Sequence, residues 1–296
     1  MDPNLRALEG ISPPLATPMV DGEIDWDSFE QLLTHVREGG VSGLFPCGTT
    51  GESASLTRTE RRQLVERTIE SVGADTPVIA GGSGTTVAET VDWIETLADL
   101  GVDAAVVTGP YFHNSNRNPG LERFFTSVAD RSPLPLILYN IPSCVGESIP
   151  VETVASLATH EQISGLKDSS GDLAYGLRAK HQTPKDFLLF QGYDPLLLPS
   201  LRMGFDGGIN ALANVVPSVY TELYRTTATE EAAHQHHRMI EPLFEVCKRD
   251  GFAPATKALL AERDIIASSD VRPPLTATDV DSDLKILPKE YEYLEE

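Results

Sequence analysis

Gln162-Ile163-Ser164-Gly165-Leu166-Lys167-Asp168 is a short apolar run that ends on a lysine, and Ser169-Ser170-Gly171-Asp172 follows it. An apolar run bounded by turn residues predicts a buried strand emerging into a polar loop. Apolar surroundings disfavour an ammonium group, and a neutral amine can attack a ketone to form a Schiff base. The chain has only seven lysines. Lys180, Lys185, Lys248, Lys257, Lys285 and Lys289 are expected at surface or loop positions; Lys167 is not.

Comparable runs occur at 11–19, 43–48, 77–82, 104–110, 134–142, 162–168, 187–192 and 206–211. Helical patterns lie between them. After Asp25, the residues Trp26, Phe29, Leu32, Leu33 and Val36 fall at helical spacing. Thr57-Arg58-Thr59-Glu60 and Thr86-Val87-Ala88-Glu89 have the form of capping boxes. Strands alternating with helices imply βα units and a parallel sheet, and eight strands is the number of a closed (β/α)8 barrel, a TIM barrel. The doubly wound alternative needs a dinucleotide fingerprint after its first strand, and Gly81-Gly82-Ser83-Gly84 lacks that spacing. Helical sequence continues through about 217–268. The expected fold class is therefore an α/β barrel over 1–220 with additional C-terminal helices over 221–296, joined without a linker.

The formal net charge is -21, with acidic residues spread along the chain. Such a surface repels nucleic acid and anionic membrane, so neither is an expected partner, and it suits a halophilic setting where salt screens self-repulsion. No run of about 18 apolar residues suggests a membrane span. Three widely spaced cysteines and a start lacking signal-peptide character set the expectation of a reduced, cytoplasmic protein. His234-x-His236-His237 is the sole histidine cluster, and it is expected on a solvated helix face. With no HExxH or CxxC motif, a metal is not expected.

In such barrels the chemistry sits at the carboxyl ends of the strands. Gly48-Thr49-Thr50-Gly51-Glu52 follows the second run, Tyr139 the fifth, Lys167 the sixth and Asp194 the seventh. Each has a plain structural alternative: a Gly-rich loop, a core tyrosine, a salt-bridged lysine, a helix cap. Together they offer amides and hydroxyls for a carboxylate, a phenol that carries protons and an amine for a C2 ketone. That set suits a lyase acting on a small-molecule 2-oxo acid, and the chemistry calls for no cofactor.

These motifs resemble the pyruvate-dependent Schiff-base lyases of the dihydrodipicolinate synthase / N-acetylneuraminate lyase family. The resemblance is carried by Gly48–Glu52, Tyr139-Asn140-Ile141-Pro142, Gly165-Leu166-Lys167, Gly192-Tyr193-Asp194 and Val271-Arg272-Pro273-Pro274-Leu275. It implies that Lys167 is the Schiff-base lysine and Tyr139 the proton carrier. It implies further that Gly48, Thr49 and Thr50 belong to the carboxylate cradle, that Ile209 supplies a carbonyl near the amine, and that the assembly is a homotetramer of two tight dimers.

The branch within the family is less direct. Lysine-biosynthetic members carry an arginine two residues after the proline of Tyr-Asn-x-Pro, where this chain has Cys144; they also use a second tyrosine where it has Phe112. Cysteine cannot bind a carboxylate bidentately as arginine does. Ser169 and Asp194 match positions that meet substrate hydroxyls in sugar-acid-cleaving members, and Arg117 is a candidate for a distal anion or a surface position. The expectation is an aldolase cleaving a 2-keto-3-deoxy sugar acid, gluconate or its 6-phosphate, to pyruvate and an aldehyde. A 2-keto-3-deoxy acid dehydratase, a 4-hydroxy-tetrahydrodipicolinate synthase and a non-catalytic binding barrel are the alternatives.

Overall fold

The structure, a computed structural model, describes residues 3–73, 76–113 and 117–280. Its strands are β1 (Gly10–Ile11), β2 (Met19–Val20), β3 (Glu23–Ile24), β4 (Ile79–Gly81), β5 (Ala104–Thr108), β6 (Leu136–Asn140), β7 (Ile163–Asp168), β8 (Leu188–Gln191) and β9 (Gly207–Gly208). Seven of them form one curled parallel sheet in the order β1-β9-β8-β7-β6-β5-β4. The order places the first strand beside the last, as winding around a closed path requires.

The run at 43–48 forms no strand. It makes two isolated parallel bridges, Pro14 with Phe45 and Leu44 with Val78. The Leu15 amide donates to the Phe45 carbonyl (2.9 Å) and the Ile79 amide to the Leu44 carbonyl (3.0 Å), so this segment touches both edges of the sheet. Pro13, Pro14, Pro46 and Pro77 lack the N–H groups that a longer ladder needs. The same deficit shortens the run at 11–19 to β1. Its far end forms instead the antiparallel hairpin β2–β3, turned by Asp21 and Gly22, both at positive φ. Asp-Gly is a strong hairpin signal that the apolar-run reading passed over.

Both faces of the sheet are apolar, as expected when helices cover one side and the strands close on the other. Ile79, Ala104, Val106, Ile137, Tyr139, Leu188, Phe190 and Ile209 pack together inside, with Leu5 and Leu8. Ala80, Ala105, Val107, Leu136, Leu138, Leu166 and Leu189 face the helix-side core. Successive side chains alternate between these two sets, and Lys167, two residues from Gly165, falls on the inner set.

The helix starts follow their caps. Asp25 accepts from the Ser28 amide at the start of Trp26–Glu38, and Thr57 with Glu60 forms a full capping box before Arg58–Ser71. Thr86 caps Val87–Leu100, but the Glu89 carboxylate bonds the amide and hydroxyl of Thr85, both at 2.9 Å, rather than Thr86. Past β9 come Pro217–Arg225, Glu230–Gln235, a π-turn His236–Ile240, Glu241–Asp250 and Phe252–Glu262. Leu243, Phe244, Cys247 and Leu259 of these helices share the core that lies behind the sheet. The expected division at 220/221 falls inside the helix Pro217–Arg225.

Candidate active site

Lys167 is 3% exposed. Strand register places it directly between Tyr139 on β6 and Phe190 on β8. Its Nζ lies 4.1 Å from the centre of the Tyr139 ring and 5.2 Å from that of Phe45. Ile209 belongs to the same inner cluster and its amide donates to the Gln191 carbonyl at 2.9 Å. The amine, the phenol, Phe45 and Ile209 therefore gather inside the sheet near its carboxyl end.

Gly192 makes room for this arrangement. A Cβ there would stand 3.0 Å from Lys167 Cε and 2.1 Å from Ser169 Oγ. Ser169 itself is half-buried, and its amide donates to the Asn140 carbonyl at 2.8 Å.

Behind the pair, Asn140 and Asp168 clamp the ends of β6 and β7. Asn140 Nδ2 donates to Asp168 Oδ1 at 2.8 Å, and Asn140 Oδ1 accepts from the Ile149 amide at 3.0 Å. Ser170 adds its amide and hydroxyl to the Asp168 carboxylate, each at 3.1 Å. Burial raises Asp168 from 3.8 to about 6 despite these bonds. Because Tyr139 and Lys167 each precede one member of the clamp, it fixes their relative height.

The Gly48–Glu52 loop follows the bridging segment that carries Phe45. Cys47, which precedes it, and Glu52, its last residue, are non-glycine positions at φ of 58° and 56°. Backbone held in this region is strained and needs support from its surroundings. Thr17 Oγ1 donates to the Gly51 carbonyl at 2.8 Å. Thr50 is buried and Thr49 exposed. Among the described residues, the amides of Thr49, Thr50 and Gly51 donate to no protein acceptor. Successive unpaired amides in a tight loop form a concavity suited to an anion.

Other expected residues are placed differently. Asp194 is fully buried; its Oδ1 accepts from the Tyr220 hydroxyl at 2.5 Å, and its Oδ2 has no hydrogen-bond partner among the described residues. Burial raises it to about 6, and the Lys167 charge is among the influences that lower it. It thus sits within the field of the amine, but in the protein wall rather than on an open surface. Cys144 is exposed on the short helix Pro142–Val145. Tyr111 and Phe112, after β5, are 53% and 76% exposed. The side chains of Arg117, His236 and His237 lie outside the described residues.

One expectation fails. Lys257 is not a surface lysine: it is fully buried in Phe252–Glu262 and forms an ion pair with Glu52, itself buried. Burial pushes the Lys257 amine down, and Glu52 opposes the shift. The signal was a lone lysine among Ala253, Ala255, Ala258, Leu259 and Leu260, all buried.

Among the described residues no three His, Cys, Asp or Glu side chains group as metal ligands, and no helix is long and apolar enough to cross a membrane.

The chain matches the Dihydrodipicolinate synthetase family over residues 7–287. It is 35% identical over 284 residues to the 4-hydroxy-tetrahydrodipicolinate synthase of Methanosarcina acetivorans, covering 94% of this chain and 96% of that one. With the enzyme of the same name from Methanopyrus kandleri it shares 36% over 273 residues, 90% of each chain. Among solved structures, the 4-hydroxy-tetrahydrodipicolinate synthase of Methylacidiphilum fumariolicum superposes with a TM-score of 0.90 at 29% identity, covering 97% of this chain and 98% of that one. This chain belongs to the dihydrodipicolinate synthetase family, whose members are pyruvate-dependent class I aldolase-type lyases.

Proposed function

We propose that the chain joins pyruvate to an aldehyde through a Schiff base on Lys167, in the reaction named for its relatives, 4-hydroxy-tetrahydrodipicolinate synthesis. The observation that carries this is the registered Lys167–Tyr139 pair, buried with Phe45 of the segment that leads into a loop whose amides at 49–51 donate to no protein acceptor among the described residues. In this reading the curled sheet and the bridging segment 44–46 act as one (β/α)8 barrel, with the helices after 220 packed on it. Those amides, with the Thr49 and Thr50 hydroxyls, hold the pyruvate carboxylate. Lys167 Nζ adds to C2, forming a C–N bond. Tyr139 carries protons to the departing oxygen, which leaves as water. Loss of a C3 proton gives an enamine, and its C3 attacks the aldehyde carbon. The aldehyde substrate's own amine then adds to C2 and displaces Lys167 Nζ, closing the cyclic imine and freeing the lysine.

A second reading runs the bond-forming step backwards, cleaving a 2-keto-3-deoxy sugar acid to pyruvate and an aldehyde. Cys144 and Phe112 favour it, standing where the synthases' arginine and second tyrosine are expected. The relatives' names favour the synthase, so it takes first place. A tetramer of two tight dimers is part of the proposal, supported by the exposed aromatic pair Tyr111 and Phe112.

Borohydride reduction in the presence of pyruvate tests the chemistry. A pyruvyl adduct on Lys167 is expected, and an unmodified Lys167 refutes it. Turnover of pyruvate with aspartate semialdehyde, set beside pyruvate release from keto-deoxygluconate and its 6-phosphate, then separates the two readings.

A further inference from the structure

The buried Glu52–Lys257 pair lies outside the reacting centre, yet Glu52 is the last residue of the carboxylate-cradle loop. Lys257 Nζ donates both to Glu52 Oε1 and to the Asp270 carbonyl, while the Arg272 amide donates to Glu52 Oε2 at 3.0 Å. The segment around Asp270 and Arg272 runs on to grip its neighbours. Asp270 Oδ2 accepts from the Asp21 amide at 2.9 Å, and Arg272 Nε donates to the Gly22 carbonyl at 2.9 Å, so the β2–β3 turn is held. Arg272 Nη1 reaches the Ser55 carbonyl at 3.1 Å, and both Nη atoms reach the Glu60 carboxylate, which caps the next helix. One C-terminal strap therefore meets the cradle loop, the turn beside it and the helix that follows.

Two physical arguments give this network a role beyond stability. A buried ion pair adds little net stability, because desolvation offsets the attraction, but it enforces one geometry. The cradle loop needs such enforcement, since Cys47 and Glu52 hold it in left-handed conformation at both ends. The second argument is charge. An unneutralised Glu52 at the edge of the cradle would repel a substrate carboxylate, in a chain already at net -21.

We propose that Glu52, Lys257 and the Asp270–Arg272 strap form a latch that fixes the Gly48–Gly51 backbone and cancels the Glu52 charge, so that the loop can receive the carboxylate of a 2-oxo acid. This rests on the pyruvate reading above. Glu52 and Lys257 are positioning residues, and their effect falls on substrate capture rather than on the covalent step.

The test measures borohydride trapping of the full-length chain against pyruvate concentration for wild type, Lys257→Met, the neutral pair Glu52→Gln/Lys257→Met, and Arg272→Gln. Lys257→Met, which leaves Glu52 charged, is expected to raise the half-saturating pyruvate concentration about 100-fold, with a saturating rate within about threefold of wild type. The neutral pair, lacking the repulsion, is expected to recover at least about fivefold of that loss. Arg272→Gln, at a half-buried position of the strap, should raise half-saturation in the same direction, and it serves if Lys257→Met fails to fold. Unchanged half-saturation in Arg272→Gln, with Lys257→Met either unchanged as well or unable to fold, overturns the latch. So does a fall in saturating rate with no change in half-saturation. Absence of trapping in wild type instead overturns the pyruvate reading on which the latch depends.

Discussion

Gly192→Ala isolates the space around the amine. Gly192 is not among the positive-φ positions, so alanine meets no backbone barrier of that kind and the substitution tests crowding alone. The added Cβ would stand 3.0 Å from Lys167 Cε, 2.1 Å from Ser169 Oγ and 3.2 Å from the Asp168 carbonyl oxygen. Carbon atoms pack best at about 3.5–4.0 Å, so Cε must retreat by about 0.5–1 Å. The Asp168 carbonyl cannot yield easily, because it accepts from the Gly192 amide at 2.7 Å. Ser169 Oγ can rotate away; the lysine stem is hemmed in by the Tyr139 and Phe45 rings. A misplacement of about 1 Å at a reacting group costs about 100-fold, which is about 2.7 kcal/mol of barrier. Overpacking should also lower stability by about 1–3 kcal/mol. Rates of borohydride trapping at saturating pyruvate, with denaturant unfolding alongside, read both effects. Gly120→Ala, where a Cβ meets nothing within 4 Å, serves as the control. Wild-type trapping in Gly192→Ala would refute the crowding argument. So would full recovery in Gly192→Ala/Ser169→Gly, because removing the hydroxyl leaves the clash with the stem intact.

Tyr139→Phe keeps a ring beneath the amine and removes the phenol, so turnover should fall by about 100- to 10,000-fold in steady-state assays; a fall under about threefold excludes the phenol as proton carrier. Stability should depend on pH through Asp168 and Asp194, both raised by burial from 3.8 to about 6. The native state holds their protons through a window where the unfolded chain has released them, so their contribution falls as pH rises from about 4 to 6. Glu60, lowered from 4.5 to about 2 chiefly by its bonds from Arg272, acts oppositely, losing its contribution as pH drops through that lower window. Denaturation midpoints should therefore peak near pH 4–5, and Asp168→Asn/Asp194→Asn should flatten the slope above it; an unaltered slope in that variant is the contrary result. With a net charge of -21, the thermal midpoint should climb as KCl rises from about 0.1 to 2 M, and a flat or falling curve removes the halophilic reading.

The α/β character and the positions of six sheet strands were legible because apolar runs and capping residues act locally. Glu89 followed the letter of its capping box but bonded Thr85, a difference of one residue that sequence spacing does not resolve. The two N-terminal runs were overread for a physical reason: Pro13, Pro14 and Pro46 are apolar enough to extend a run, yet cannot donate to a ladder. Hydropathy records the first property and not the second. Asp21-Gly22 carried its own turn signal just past the run 11–19, where a reading confined to apolar residues does not look.

The two buried lysines show where a sequence stops being informative. Both stand next to apolar residues, Lys167 at a strand end and Lys257 midway along a helix, and burial alone does not separate a nucleophile from a structural cation. Their partners do. Lys257 faces Glu52, brought from 205 positions away, and a carboxylate in direct contact favours the charged form of an amine, opposing the downward push of burial. Lys167, among the described residues, forms no ion pair and faces the rings of Tyr139 and Phe45. An amine that can lose its proton and approach a carbonyl must be buried and yet left without a carboxylate. That requirement concerns an absence in three dimensions, set by what the register of β6, β7 and β8 places beside residue 167. No local motif encodes it, and it is what separates the ion-paired Lys257 from Lys167, the residue proposed above as the nucleophile.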